Sequence, residues 1–311
     1  MRRRTIAIAV IAVWVAGLLL LYRRNTIRTP EAALIEVGMR VSPQTYYYTL
    51  QQGEKQVGAA SSAIDTTRTR VIASDFVRGE IPVGDDVLRM EARSQARFSR
   101  GMRLQEFVIR AVGDLTPFTI RGVMQESDVK TLRVSSSIQG QRPIVQETVV
   151  TQPVFVPTVS PLPLLLKHDP KTGDSARVAI FDPLSRRVQE VTLHVHADSL
   201  FLIADSASFD STSGRWVKAH QDSVRGWRIT GPSSPLTAWV DRSGRVIAAS
   251  EPGGISLVRT TFELAFANWT LGHPASTTAT GPRGSRIEET PPDTSHRSLP
   301  LSGGVRPRLK P

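Results

Sequence analysis

The chain has 311 residues, enough for one large domain or two small ones, and its 40% apolar and 22% charged content is that of a globular protein. The net charge of +11 invites a nucleic-acid reading, but residues 1–28 carry +6 with no acid and residues 271–311 carry +3, which leaves only +2 for the body between them. A nucleic-acid binder needs its basic residues on one folded face, so that class is excluded. With no cysteine in the chain, disulfides, thiolate metal sites and cysteine nucleophiles are excluded as well.

Residues 1–24 read MRRRTIAIAVIAVWVAGLLLLYRR. Three arginines precede an uncharged run from Thr5 to Tyr22, and Arg23 and Arg24 close it. A run of this length reaches the lower edge of what crosses a bilayer as a helix, with Tyr22 and the two arginines as an interfacial collar. The small residues of a leader-peptidase site do not follow the run, so an uncleaved anchor through residues 5–22 is expected, with the lipid bilayer as its partner. The free amino terminus and Arg2 to Arg4 point to a cytoplasmic N-terminus, which places residues 25–311 outside the cytoplasm.

Residues 25–43 read as a linker holding a short helix, Pro30–Met39, with proline at a favourable first-turn position. The β body is expected over 44–268. Thr45–Leu50 and Gln56–Ile64 flank a Gln52-Gly53-Glu54 turn, and Arg70–Val77 follows. The run Val87 to Val112 carries the strongest pattern. Leu88, Met90, Ala92, Ser94, Ala96 and Phe98 alternate with Arg89, Glu91, Arg93, Gln95 and Arg97, the mark of a strand with one dry and one wet face. Arg100-Gly101 breaks the run, and a second run from Met102 makes the pair a hairpin. Phe118–Met124, Leu132–Ile138 and Ile144–Val150 continue as a meander.

Residues 152–163 carry four prolines and cannot lie inside a sheet. They lead to an apolar plug, Leu162–Leu166, and a loop from Asp169 to Gly173. Strands resume at Ala176–Phe181 and Val188–Ala197. Asp198–Asp222 is polar and serine-rich and reads in part as a loop. Gly226–Ile229, Leu236–Val240 and Val246–Ser250 close the body, with a turn at Asp241-Arg242-Ser243-Gly244. Ile255–Trp269 reads as a strand running into a short helix. Residues 269–311 are rich in Pro, Gly, Ser and Thr and are expected to be a disordered tail.

The opening YYYTLQQGEKQVGAASSAI, the LPLLL plug, FDPLSRRV, and AWVDRSGRVIAAS ahead of Leu-Val-Arg-Thr together resemble the β-rich region that precedes a transglutaminase-like domain in some membrane-anchored bacterial proteins. That region in turn resembles the curved sheet of periplasmic lipoprotein carriers. The resemblance covers about residues 40–265. It implies a mainly β fold, one large curved antiparallel half-barrel of roughly ten strands with few short helices, held at a bacterial inner membrane with its body in the periplasm. The chain departs from the family where catalysis would begin. A transglutaminase-like site needs a cysteine nucleophile, which is absent, so the resemblance implies the accessory domain alone.

No residue set reads as a catalytic or cofactor site. There is no G-x-S-x-G, Walker or G-x-G-x-x-G motif. His194 and His196 share a strand face with Glu190 and Thr192 at a spacing that could chelate a metal, but the pattern is that of a solvated polar face, and no metal is assigned. Asp85-Asp86 beside Gly84 reads as turn chemistry, and Asn268-Trp269-Thr270 as a chance sequon. Tyr46, Tyr47 and Tyr48 put aromatics on both faces of one strand. Leu88, Met90, Phe98 and Phe107 form the candidate face for a hydrophobic ligand, with a packed core as its competing fate. The expected function is a non-catalytic binding or scaffold module for an acyl ligand or a protein partner. The alternative is an accessory subunit of a transglutaminase-like or peptidase system whose catalytic cysteine lies on another chain.

Overall fold

Two-residue alternation runs through most of the body, and each alternating segment becomes a strand of one sheet. The computed structural model describes residues 30–84, 86–125, 129–165, 170–231, 237–250 and 254–272. The strands are β1 (Gln44–Gln52), β2 (Lys55–Thr66), β3 (Arg70–Val83), β4 (Asp86–Ser99), β5 (Leu104–Gly113), β6 (Phe118–Gln125), β7 (Thr131–Ile138) and β8 (Ile144–Val149) in the first arm. The second arm holds β9 (Val154–Phe155), β10 (Ser175–Asp182), β11 (Arg187–Asp210), β12 (Arg215–Thr230), β13 (Thr237–Asp241), β14 (Val246–Ser250) and β15 (Ile255–Thr260). All belong to one 15-stranded sheet, in which β1 through β8 meander out one way, β15 back through β9 the other, and β1 pairs with β15 to join the arms. Pairing is antiparallel except between β9 and β10. The sheet is mainly β as expected, but with fifteen strands in place of about ten, because every segment with a strand pattern joins the same ladder.

Connectivity forces this sheet to roll. β8 and β9 are its two edges, about 14 strand spacings apart, or roughly 67 Å along the ladder at ~4.8 Å per strand. Only residues 150–153 separate the end of β8 from the start of β9, and such a link spans at most ~17 Å. A flat sheet is therefore impossible. Contacts between the arms show where they meet. The rings of Phe107 on β5 and Phe181 on β10 lie 4.5 Å apart, and those of Phe98 on β4 and Phe155 on β9 lie 6.5 Å apart. Arg186, in the turn after β10, donates from Nη1 to Ser136 Oγ on β7 at 3.2 Å. The β9–β10 edge thus lies over the inner face of β4 and β5.

The core fills this overlap. Phe98, Phe107, Phe181, Leu132, Leu162, Leu165 and Val159 are each less than 2% exposed. Leu162–Leu165 is one helical turn that buries three leucines, the plug expected from LPLLL. The helix Pro30–Arg40 caps the β4–β5 turn, where Arg100 Nη1 donates to the Gly38 carbonyl at 3.1 Å. Only glycine lets that helix come so close, since a Cβ on Gly38 would lie 1.9 Å from the Arg100 carbonyl oxygen.

Two expectations change. Of Asp198–Asp222, read in part as a loop, only 211–214 turns; β11 and β12 form a long ribbon across the rest. Register shifts at Val195/Ala197 and Ala204/Ser206 break the alternation there, which hides the strand from a periodicity reading. The proline-rich stretch contributes a two-residue strand, β9, but at the sheet edge, where proline is tolerated. The strand running into a short helix read over Ile255–Trp269 is present: β15 leads into a π-helical turn, Glu263–Ala267, and a helix, Asn268–Gly272, with Trp269 buried. Among the described residues no helix is long and apolar enough to cross a membrane. The expected anchor at 5–22 and the tail from 273 lie outside the described residues.

Gly122 of β6 pairs with Phe107, and a Cβ there would lie 2.1 Å from the Phe107 ring. Gly122→Ala should push Phe107 off its contact with Phe181 and cost about 1–3 kcal/mol, the range for overpacking. A shift of the urea midpoint measures it; an unchanged midpoint refutes the role assigned to Gly122.

Candidate functional site

The inner face of β2, β3 and β4 carries polar residues in phase with apolar ones. Ser62 sits between Ala60 and Ile64, Asp75 between Ala73 and Val77, and Ser94 between Ala92 and Ala96. Strand register sets these three side by side, with Ser62 opposite Asp75 and Asp75 opposite Ser94. Ser62 Oγ donates to Asp75 Oδ1 at 2.7 Å and Ser94 Oγ donates to Asp75 Oδ2 at 2.8 Å. Each carboxylate oxygen thus receives one hydroxyl and keeps room for another donor.

Asp75 and Ser94 lie at the edge of a cavity of about 220 Å³ between this face and the overlapping arm. Val77, Ala92, Ala96, Phe107 and Ile109 form one wall; Val156, Pro157, Thr158 and Pro183 form the other. Small residues make the space: where β4 carries alanine and serine the overlap leaves a gap, and where it carries Phe98 the gap is filled. Asp75, Val77, Ala92 and Ser94 are each half-buried, so the cavity reaches the surface. The Thr158 Oγ1 is fully buried and has no hydrogen-bond partner among the described residues.

Behind Asp75 lies a buried charged network. Arg245, 3% exposed, donates from Nη1 to Ser62 Oγ at 3.3 Å, while its Nη2 has no partner among the described residues. Burial pushes the Arg245 guanidinium down from its ordinary range, opposed by Tyr48 and Asp75. Asp241 anchors the turn that carries Arg245. Its Oδ1 accepts from Ser243 N at 2.8 Å, Ser243 Oγ at 2.6 Å and Arg245 N at 3.0 Å. Its Oδ2 accepts from Arg259 Nη1 at 2.7 Å, in an ion pair whose side chains are 10% and 6% exposed. Arg259 also donates to the carbonyls of Val246 and Arg245 and lies over the Tyr46 ring at 4.2 Å. Burial pushes the Tyr48 phenol up to about 12, against the opposing pull of Arg259 and Arg245.

Of the four residues expected to face a hydrophobic ligand, Phe107 lines the cavity. Phe98 is fully buried in the core against Phe155, the competing fate of that face. Leu88 and Met90 share its phase farther along β4, half-buried and outside the cavity lining. Tyr46 and Tyr48 point inward, and Tyr47 packs on the other face against Phe262 and Phe266. Asp75, Ser94, Thr158 and Arg245 were missed. The signal for the first two was present: a polar residue in step with the apolar set of its own strand.

His194 and His196 lie on exposed β11 with ring centroids 6.1 Å apart, and His196 meets Thr230 Oγ1 at 2.6 Å. They join no third ligand group among the described residues; the one such group there is Asp205, His220 and Asp222, whose ligand atoms lie within 4.8 Å of one another on the exposed ribbon. The hydrogen bond that His220 donates to the Asp205 carboxylate raises the imidazole above its ordinary range. The Asn268 sequon side chain is engaged, donating to the Trp216 carbonyl at 2.8 Å and accepting from its N–H at 2.9 Å.

No family model and no curated protein matches the chain. Among solved structures it is similar to a β-barrel-like protein of domain of unknown function DUF1849 from Brucella abortus, at 13% identity and TM-score 0.44, covering 71% of this chain and 96% of that one. It is also similar to a DUF1089 family protein from Pseudomonas aeruginosa, at 12% identity and TM-score 0.31, covering 63% and 90%.

Two outcomes follow from the network. Arg259→Met leaves Asp241 buried without its counter-ion and should cost about 3–5 kcal/mol in chemical unfolding; a loss below about 1 kcal/mol would show that the pair carries little. Tyr48 has a folded pKa of about 12 above an unfolded value of 10.0, so the stability it contributes is intact below pH 10 and is lost as pH rises toward 12. Tyr48→Phe should flatten the stability profile over that window by roughly 1–3 kcal/mol relative to the unmodified chain; parallel profiles would contradict the assignment.

Proposed function

We propose that this chain is a non-catalytic binding module whose cavity receives an apolar segment, most simply the end of an acyl chain. The observation that carries this reading is an apolar-walled space of about 220 Å³ that opens between half-buried residues beside an otherwise filled core. Small-molecule sites occupy roughly 300–1,000 Å³, so this space suits a chain end or one large side chain rather than a whole lipid. Support for a non-catalytic role comes from the side chains at hand. Ser62 and Ser94 both spend their protons on Asp75, and the described histidines, His194, His196 and His220, all sit on β11 and β12. In this reading residues 5–22 tether the module to a bacterial inner membrane and the body works outside the cytoplasm, beside the lipids that would supply acyl chains. In this reading the chain is an accessory domain without transglutaminase-like activity, as its resemblance to the region ahead of such domains implies.

Titrating the full chain with a fluorescent acyl probe should give saturable uptake. Ala92→Phe, which puts a ring into the cavity, should weaken uptake by about tenfold or more, equal to ~1.4 kcal/mol, with an unfolding midpoint no lower than that of the unmodified chain. No uptake by the unmodified chain overturns the reading. A phosphatase fused after Pro311 should be active, since that enzyme works only outside the cytoplasm; an inactive fusion that is otherwise folded would overturn the topology.

A further inference from the structure

The cavity has a polar pole as well as apolar walls, and the pole selects a kind of head group. We infer that the occupant carries a hydrogen-bond donor at its head, a hydroxyl, an amide N–H or an ammonium, and that carboxylate-headed chains are disfavoured. This inference rests on the proposed acyl-binding reading and adds the chemistry of the ligand's polar end.

Three observations carry it. Asp75 lines the cavity with a carboxylate whose oxygens each accept one serine hydroxyl and have capacity left for donors from the ligand. Thr158, on the facing wall, holds a fully buried hydroxyl with no partner among the described residues, although buried polar groups are nearly always paired. Two cations lie close by, and neither offers its charge to the cavity. Arg93 borders it, but its guanidinium pairs with Glu91 at 2.9 Å and lies over the Phe76 ring, out of phase with Ala92 and Ser94. Arg245 stands behind Ser62 outside the lining, so an entering ligand meets the anion first. A ligand hydroxyl could donate to Asp75 and accept from Thr158, satisfying both. A carboxylate head would set two anions together in a space with little water, which costs far more than the same approach in solvent.

Displacement of the acyl probe from the full chain at pH 7.5 by 1-octanol, octylamine, octanoate and octane tests this. Octanol and octylamine should displace it at concentrations about tenfold or more below octanoate. Asp75→Asn should bring octanoate to within about twofold of octanol. Thr158→Val removes a buried hydroxyl that makes no bond among the described residues, so it should not lower the unfolding midpoint. It should also weaken octanol by about three- to tenfold and leave octane unchanged. If octanoate competes as well as octanol with the unmodified chain, or if Thr158→Val leaves the ratio of octanol to octane unaltered, the head-group inference fails while the cavity reading stands. If no octyl compound displaces the probe, the acyl-binding reading itself fails. Should Asp75→Asn unfold, the Thr158→Val arm decides alone.

Discussion

Val149 ends one edge of the sheet and Val154 begins the other, and the short span between them governs the molecule. A ladder of fifteen strands laid flat would hold those residues roughly 67 Å apart. The chain allows about a quarter of that distance. The sheet must therefore roll until the β9–β10 edge lies over β4 and β5, and burial follows from rolling. Phe107 and Phe181, far apart in the ladder, meet because of it. So does the leucine plug, which needs walls on two sides to bury Leu162 and Leu165. The cavity is the part of the same overlap where β4 offers alanine and serine in place of phenylalanine.

The join between the arms needs something that apolar packing does not supply. A pleated face of valines and alanines tolerates a slip, whereas a one-residue slip between β1 and β15 would turn Arg259 to the opposite face. Arg259 sits opposite Tyr48 and binds Asp241 and the carbonyls of the β13–β14 turn, so correct register at one pair fixes the next. Arg245 extends the tie across the sheet to Ser62, and Ser62 to Asp75. This chain of partners spans β15, β13, β2, β3 and β4, between the large core and the smaller apolar cluster of Tyr48, Leu50, Val57 and Ala60.

How much of this was legible depends on how far apart the causes lie. The β4–β5 hairpin was readable because its alternation and its Arg100-Gly101 break are local, and the structure sets β4 and β5 on either side of that break. The middle of the β11–β12 ribbon was not, because bulges near Ala197 and Ser206 change the phase and because Ser, Asp and other polar residues interrupt its apolar ones. Its stability comes from the ladder itself and from Asn268, which clamps Trp216 from 52 residues away. Asp75 was legible as an oddity, an acid in the apolar phase of its strand. That it lines one cavity with Thr158 was not, since nothing local sets the proline-rich stretch over β3 and β4. Arg245 and Ser62 lie 183 residues apart, and only the closed order of strands makes them neighbours.

The cavity itself bears on why the pole is there. Residual apolar space in a core costs about 24 cal/mol per Å³, so a dry void of about 220 Å³ would cost at most on the order of 5 kcal/mol. Net stabilities are about 5–15 kcal/mol, and one larger side chain at Ala92 or Ala96 would remove most of that cost. The chain instead keeps small residues on one wall and adds two stiff prolines, Pro157 and Pro183, on the other, where they resist collapse. It also sets among the lining residues a carboxylate, Asp75, and a buried hydroxyl, Thr158, that packing alone does not need. A defect of packing would be apolar throughout, as in a large-to-small core change; apolar walls with a satisfiable polar end are what the proposed binding role requires.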